Sequence, residues 1–270
     1  MRTAFSIPAL LLAPMRLVYA LWVLLAFLAV GIFALLMLLV LPRVSQRRAA
    51  ARAGARAFFH LAGMPLRVRH LERLPAGQCV VVCNHASYLD GIVLTAALPA
   101  RFAFVIKREM ASVPVMGPLL HRLGSHFVER FNRSRVASDA RRVIEQAIEG
   151  HSLVFFPEGT FSPKPGLLKF HTGAFVSAVR GGCPLVPAVV RGTRRALPEG
   201  GLPLPGRIEL EILPPIAPQQ SSPTEEVPRL RDQARAAILA QLGEPDLTCC
   251  DGTDRPPDTA PARSVPASRP

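Results

Sequence analysis

A chain of 270 residues, half of them hydrophobic, has room for one sizeable core plus accessory segments. Its 32 Lys and Arg against 19 Asp and Glu leave a formal charge of +13, which suits an anionic partner. A nucleic acid is set aside, because the chain carries no zinc finger, RNP signature or basic zipper.

The first predicted element is a membrane-spanning helix. Leu17 to Leu41 contains no charged residue. As a helix it would rise about 37 Å at ~1.5 Å per residue, enough to cross a bilayer with some tilt. A signal peptide is the alternative, but its apolar core runs only ~7–15 residues before a small-residue cleavage site. Here the run continues into LPRVSQRRAAARAGAR, so a retained anchor is expected. Arg43, Arg47, Arg48, Arg52 and Arg56 follow the run, against Arg2 and Arg16 before it. The positive-inside bias then puts the rest of the chain on the cytoplasmic face of the cell (inner) membrane. The same arginines are expected to meet an anionic lipid surface, at ~1 kcal/mol each.

Residues 54–64, GARAFFHLAGM, read as a helix that could lie along the interface. Strands are expected at Cys79–Cys83, Phe102–Ile106, His126–Val128, Leu153–Phe156, Leu185–Val190 and Ile208–Leu213. Several are short, continuously apolar runs, as strands covered on both faces require. Between them, Ser134 is placed to cap a helix whose stripe is Val136, Ala140, Val143, Ile144, Ala147 and Ile148, closed by Gly150. Further helices are expected near Thr172–Arg180 and Glu225–Leu242. The alternation predicts an α/β fold: a mostly parallel central sheet flanked by helices, preceded by one N-terminal transmembrane helix. The organisation is a membrane segment over 1–42, an α/β domain over 43–243 and a disordered Pro-rich tail over 244–270. Five cysteines without a Cys-x-x-Cys pair read as free thiols, mostly buried, and no metal site is expected.

Two strand ends carry the chemistry. In CVVVCNHASYLDGIVL, a buried strand runs into Asn84, His85, Ser87 and Asp90. A carboxylate on one imidazole nitrogen fixes the tautomer and stabilises the imidazolium formed when the other nitrogen takes a proton. Such a pair is a general base for a hydroxyl, worth about 10²–10⁴-fold. The same residues could equally satisfy the backbone of the turn. In LVFFPEGTFSPKPGLLKFHTGAF, the strand ends in Pro157, Glu158, Gly159 and Thr160. Glycine lets backbone N–H groups approach an anion, Thr160 adds a donor, and Lys169 with a helix opening near Thr172 adds positive potential.

These blocks carry a resemblance. NHASYLD resembles the Asn-His-x-x-x-x-Asp block of the glycerolipid acyltransferases, the 1-acylglycerol-3-phosphate acyltransferase family, and FPEGTFS resembles its Pro-Glu-Gly-Thr block. VPVMGPLLHRLGSHFVERFNR is similar to the intervening block, with Pro114, Gly117 and Arg130, and CPLVPAVVRGTR to the last, with Pro187. The resemblance covers roughly Leu66 to Leu213. It implies transfer of a fatty acyl group from acyl-CoA or acyl carrier protein to the free hydroxyl of a lysophospholipid, most simply 1-acylglycerol-3-phosphate. His85 would be the base and Asp90 its orienter. Asn84, Ser87, Arg130, Glu158, Gly159, Thr160 and Lys169 would hold substrate. No cofactor is implied, since a thioester is already activated.

One position departs from the pattern: many members have Arg after Glu-Gly-Thr, and this chain has Phe161. Either Lys169, Arg191 or Arg194 replaces that phosphate contact, or the acceptor is another lysolipid rather than 1-acylglycerol-3-phosphate. The rival chemistry is a lipid thioesterase or hydrolase using the same His-Asp pair on water, although the chain has no G-x-S-x-G elbow. Ala111 to Gly124 is apolar, and would line an acyl groove, dip into the interface or form a buried core helix.

Overall fold

The computed structural model describes residues 9–129, 133–219 and 222–248. Its centre is a seven-stranded sheet in the order β1-β7-β6-β2-β5-β3-β4. The strands are β1 (Leu66–Arg69), β2 (Val80–Cys83), β3 (Phe102–Lys107), β4 (His126–Val128), β5 (Ser152–Phe155), β6 (Leu185–Arg191) and β7 (Ile208–Ile212). Every neighbouring pair is parallel except β6 and β7.

Strand β2 explains the layering. All four of its residues are fully buried, and period-2 alternation sends them to opposite faces. Val81 and Cys83 join a core with Phe58, Phe59, Val93 and Leu94, which belong to α2 (Val44–Leu61) and α3 (Leu89–Ala97). Val80 and Val82 join another core with Val143, Phe175, Leu230 and Ile238. Those come from α5 (Arg133–Ile148), α6 (Gly173–Arg180) and α8 (Pro223–Leu242). A strand covered on both faces must be apolar throughout, which is why VVVC has no polar partner residue. The remaining helices are α1 (Ala9–Val40), α4 (Met116–Arg122) and the single turn α7 (Thr193–Ala196).

Strand β1 was not expected. Its Leu66 and Val68 are half-buried and its Arg67 and Arg69 exposed, the pattern of a short sheet edge guarded by charge. Helix α5 starts at Arg133, so Ser134 falls inside it; the Ser134 side chain lies outside the described residues. In the Ala111–Gly124 stretch, Gly117 is the buried residue of α4, while Val113 and Val115 are exposed, so this is no core helix.

The N-terminal region carries the expected apolar helix. Helix α1 contains one stretch, Ala13–Val40, long and apolar enough to cross a membrane. It does not stand away from the domain. Tyr19 Oη donates to the Ala62 carbonyl at 2.9 Å, and Trp22 Nε1 to that of Leu61 at 2.8 Å. Near the other end Arg122 donates to the carbonyls of Leu38 and Leu39. Between these ends Ala20, Val23 and Ala26 are buried, and Phe27 meets Phe58 edge-on at 5.7 Å. Helix α2 is thus packed between α1 and α3.

Three arginines of α2 reach across to neighbouring segments of the domain. Arg48 donates to the carbonyls of Arg101, Leu123 and Gly124. Arg52 donates to Ala96 and Ala97, and Arg56 to Ala96. Spaced by four, these cations share one helical face and satisfy the orphan carbonyls ending α3 and α4, where a positive charge also suits the helix dipole. Three arginines of the basic run, Arg48, Arg52 and Arg56, thus also serve an intramolecular joint.

The first residues of the expected tail, 244–248, are ordered against the domain, with Leu167 and Asp246 forming a parallel bridge. Residues 249–270, including Cys249 and Cys250, lie outside the described residues; Cys79, Cys83 and Cys183 are free and buried.

Candidate active site

Strands β5, β2 and β6 are adjacent and parallel, with Val82 opposite both Phe155 and Pro187. The loops leaving their C-terminal ends therefore emerge side by side, where open parallel sheets gather their functional groups. This juxtaposition brings His85 and Glu158 together.

The loop after β2 is closed by Asp90 in the first turn of α3. Its Oδ2 accepts the N–H of Ala86 at 2.6 Å and of Ser87 at 2.8 Å, and lies 2.9 Å from His85 Nδ1. Asp90 is fully buried, whereas the His85 side chain keeps 18% of its surface. With Nδ1 donating to the carboxylate, Nε2 is the nitrogen left to accept a proton. Two rings hold the imidazole plane. Phe156 stacks on it at 4.3 Å, and Phe161 meets it edge-on at 4.8 Å, itself edge-on to Tyr88 at 4.8 Å.

Glu158, only 3% exposed, ties the second loop to the first. Its Oε1 accepts the backbone N–H of His85 at 2.6 Å, and its Oε2 that of Leu168 at 2.8 Å. Burial pushes its carboxyl up to about 7, with the Asp90 charge adding to the rise and the two amides and Arg194 opposing it. Gly159 turns the chain at φ +77°, a conformation that disfavours a side chain, and its N–H is used by the Phe156 carbonyl.

The residues expected to hold substrate therefore divide. Asn84 is buried and locked to β6, its Nδ2 donating to the Val190 carbonyl and its Oδ1 accepting the Val190 N–H. Ser87 is buried, with its hydroxyl donating to the Leu197 carbonyl. Glu158 has both oxygens engaged by backbone. These three shape the two loops from within. Thr160 and Lys169 are exposed on the second loop. Arg130 lies outside the described residues. Of the cations weighed as replacements at position 161, Arg191 is held by Glu209 and Glu211 of β7 and by the Gln241 carbonyl. Arg194 donates to the Ser162 carbonyl and pairs with Glu244 at 3.2 Å.

Sequence reasoning missed the aromatic enclosure of His85 by Phe156, Phe161 and Tyr88. The available signal was that these rings directly flank the two motifs, in FFPEGTF and SYLD. Among the described residues no three His, Cys, Asp or Glu side chains gather into a metal-binding group.

This site sits in the part of the chain that matches a known family. Residues 65–191 match the Acyltransferase family. A chloroplastic 1-acyl-sn-glycerol-3-phosphate acyltransferase of Brassica napus is 33% identical over 55% of this chain and 44% of its own length. The mouse 1-acyl-sn-glycerol-3-phosphate acyltransferase alpha is 30% identical over 68% of this chain and 66% of its own. The chain thus spans less than two thirds of these relatives. The solved 1-acyl-sn-glycerophosphate acyltransferase PlsC of Thermotoga maritima shares the fold, with a TM-score of 0.70 and 24% identity over 84% of this chain and 95% of that one.

Proposed function

We propose that the protein is a membrane-associated O-acyltransferase of phospholipid biosynthesis. It moves a fatty acyl group from a thioester, acyl-CoA or acyl carrier protein, to the free hydroxyl of a lysophospholipid. The leading acceptor is 1-acylglycerol-3-phosphate, giving phosphatidate. The observation that carries this reading is the His85–Asp90 pair: a base with one nitrogen held by a buried carboxylate, the other unclaimed, in a ring plane fixed by phenyl groups.

The acceptor hydroxyl gives its proton to His85 Nε2 as its oxygen attacks the thioester carbonyl. Asp90 stabilises the imidazolium. The tetrahedral adduct collapses, the C–S bond breaks, and the proton passes from His85 to the departing thiolate. Ester and free thiol result, with no acyl-enzyme and no cofactor. The exposed apolar face of α1, including Leu17, Leu21, Leu28 and Ile32, would seat the domain against the cytoplasmic face of the inner membrane, where a lysolipid is delivered.

The test is purified protein given lysophosphatidate and acyl-CoA. Phosphatidate with equimolar free CoA is expected; free fatty acid without ester would make the protein a thioesterase. A second acceptor class, a lysolipid without a phosphate monoester, is favoured by Phe161, because its ring occupies the space beside His85 where a guanidinium would grip phosphate. Phe161→Arg is then expected to raise kcat/KM for lysophosphatidate relative to lysophosphatidylcholine, by roughly tenfold for one charge-assisted hydrogen bond.

A further inference from the structure

The segment after α8 contributes nothing to the hydrophobic cores, since none of residues 244–248 is buried. Its contacts fall instead on the loop that carries Glu158. Leu167 N donates to the Pro245 carbonyl at 2.9 Å, and Leu247 N to the Leu167 carbonyl at 3.1 Å. Glu244 Oε2 accepts the Gly166 N–H at 2.7 Å and pairs with Arg194, whose other arm holds the Ser162 carbonyl. Asp246 receives a two-pronged contact from Arg235, at 2.6 and 2.8 Å, and the N–H and hydroxyl of Thr248. Arg235 also donates to the carbonyls of Leu167 and Leu168.

Gly166 shows how closely the two segments fit. At φ +143°, a conformation that disfavours a side chain, a Cβ there would lie 2.4 Å from Leu247 Cγ, so the strap closes directly over this glycine. One residue beyond Leu167, the Leu168 N–H meets Glu158, and the other oxygen of Glu158 meets the His85 N–H. The strap's bonds at Gly166 and Leu167 thus lie one peptide from the Leu168–Glu158–His85 bonds that reach the backbone of the base.

We propose that residues 244–248 form a strap in which Glu244 and Asp246 are positioning residues, setting the 157–168 loop and, through Glu158, the approach of the acceptor to His85. The kinetic side of this proposal rests on the transfer reading above. The strap holds the loop from outside with charge-assisted bonds, and misplacing a reacting group by about 1 Å costs ~100-fold in rate.

The experiment compares full-length wild type, Glu244→Ala, Glu244→Gln and Asp246→Asn in detergent micelles. Hydrogen exchange is followed by peptide, and initial rates are measured with lysophosphatidate and acyl-CoA. In Glu244→Ala, exchange in 157–168 is expected to rise roughly tenfold, the worth of one charge-assisted bond, with α6 and β2 unchanged. Acceptor KM is expected to rise several-fold while the acyl-CoA KM holds. Asp246→Asn should do the same more weakly, and Glu244→Gln, which still accepts from Gly166, should restore most of both. Unchanged exchange in 157–168 would overturn the strap. So would a fall in apparent kcat with both KM values intact, because that reports only fewer folded molecules. If the wild type forms no ester, the transfer reading fails, and the exchange measurement still decides the strap.

Discussion

At the end of β2 the chain closes its turn locally; at the end of β5 it wanders much further before α6 and leans on distant segments. In the first loop one atom, Asp90 Oδ2, collects Ala86 N, Ser87 N and His85 Nδ1. In the second, Glu158 reaches back to His85, Arg194 holds Ser162, and the 244–248 strap holds residues 166–168. The lesson is a division of labour. The His85–Asp90 pair is closed by its chain neighbours, and the second loop adds Glu158 at the His85 N–H and Phe156 and Phe161 at the ring. The second loop is fixed by long-range contacts, so changes in residues 244–248 reach this loop before they reach the pair.

The largest expected effect breaks the local loop at its centre. His85→Ala removes the base and is expected to lower kcat by up to about 10⁴-fold, with the melting temperature and membrane association retained. Steady-state rates beside thermal unfolding check this; surviving turnover would mean that another group is the base. Asp90→Asn comes next. The amide still faces two backbone N–H groups, but it cannot stabilise an imidazolium, so a loss of ~10²–10³-fold is expected in kcat, with acceptor KM nearly unchanged.

Glu158→Gln tests the link between the loops. Glutamine can accept from one backbone amide but not from both, and leaving one buried donor unpaired costs about 1–3 kcal/mol. The melting temperature should fall and acceptor KM should rise, in contrast to the Asp90 variant. The wild type should also lose stability with rising pH in a defined window. The folded carboxyl, pushed up to about 7, lies above its ordinary 4.5, so the native state holds the proton more tightly than the unfolded chain. This contribution is fully present below about 4.5 and is gone above about 7. Glu158→Gln should flatten that slope in unfolding curves taken across the window. The smallest effect is expected from Arg194→Ala, which frees Ser162 and Glu244 at the rim of the second loop: a few-fold rise in acceptor KM alone.

Much of the framework was legible because it is written in short-range pattern. Continuous apolar runs such as VVVC announce a strand covered on both faces, and six of the seven strands lie where such runs or brief apolar alternations predicted them. LRVR was missed because its few alternating residues say little without the neighbouring β7. His85 and Asp90 were legible as a pair since a turn of that length lets the two face each other. Asn84, Ser87 and Glu158 were legible as important but not in what they touch, because their partners Val190, Leu197 and Leu168 are remote or come from packed loops.

Local chemistry by itself determined the apolar helix at the N-terminus, the α/β alternation, and a histidine–carboxylate pair at a strand end, because each depends on residues a few positions apart. Tertiary structure alone decided that Arg48, Arg52 and Arg56 serve the carbonyl ends of α3 and α4, that Glu158 joins two loops, and that residues 244–248 pack on the second loop. Charge and polarity are the same whether a side chain meets lipid, substrate or backbone. Only the packing of distant segments brings one of those partners within hydrogen-bonding reach.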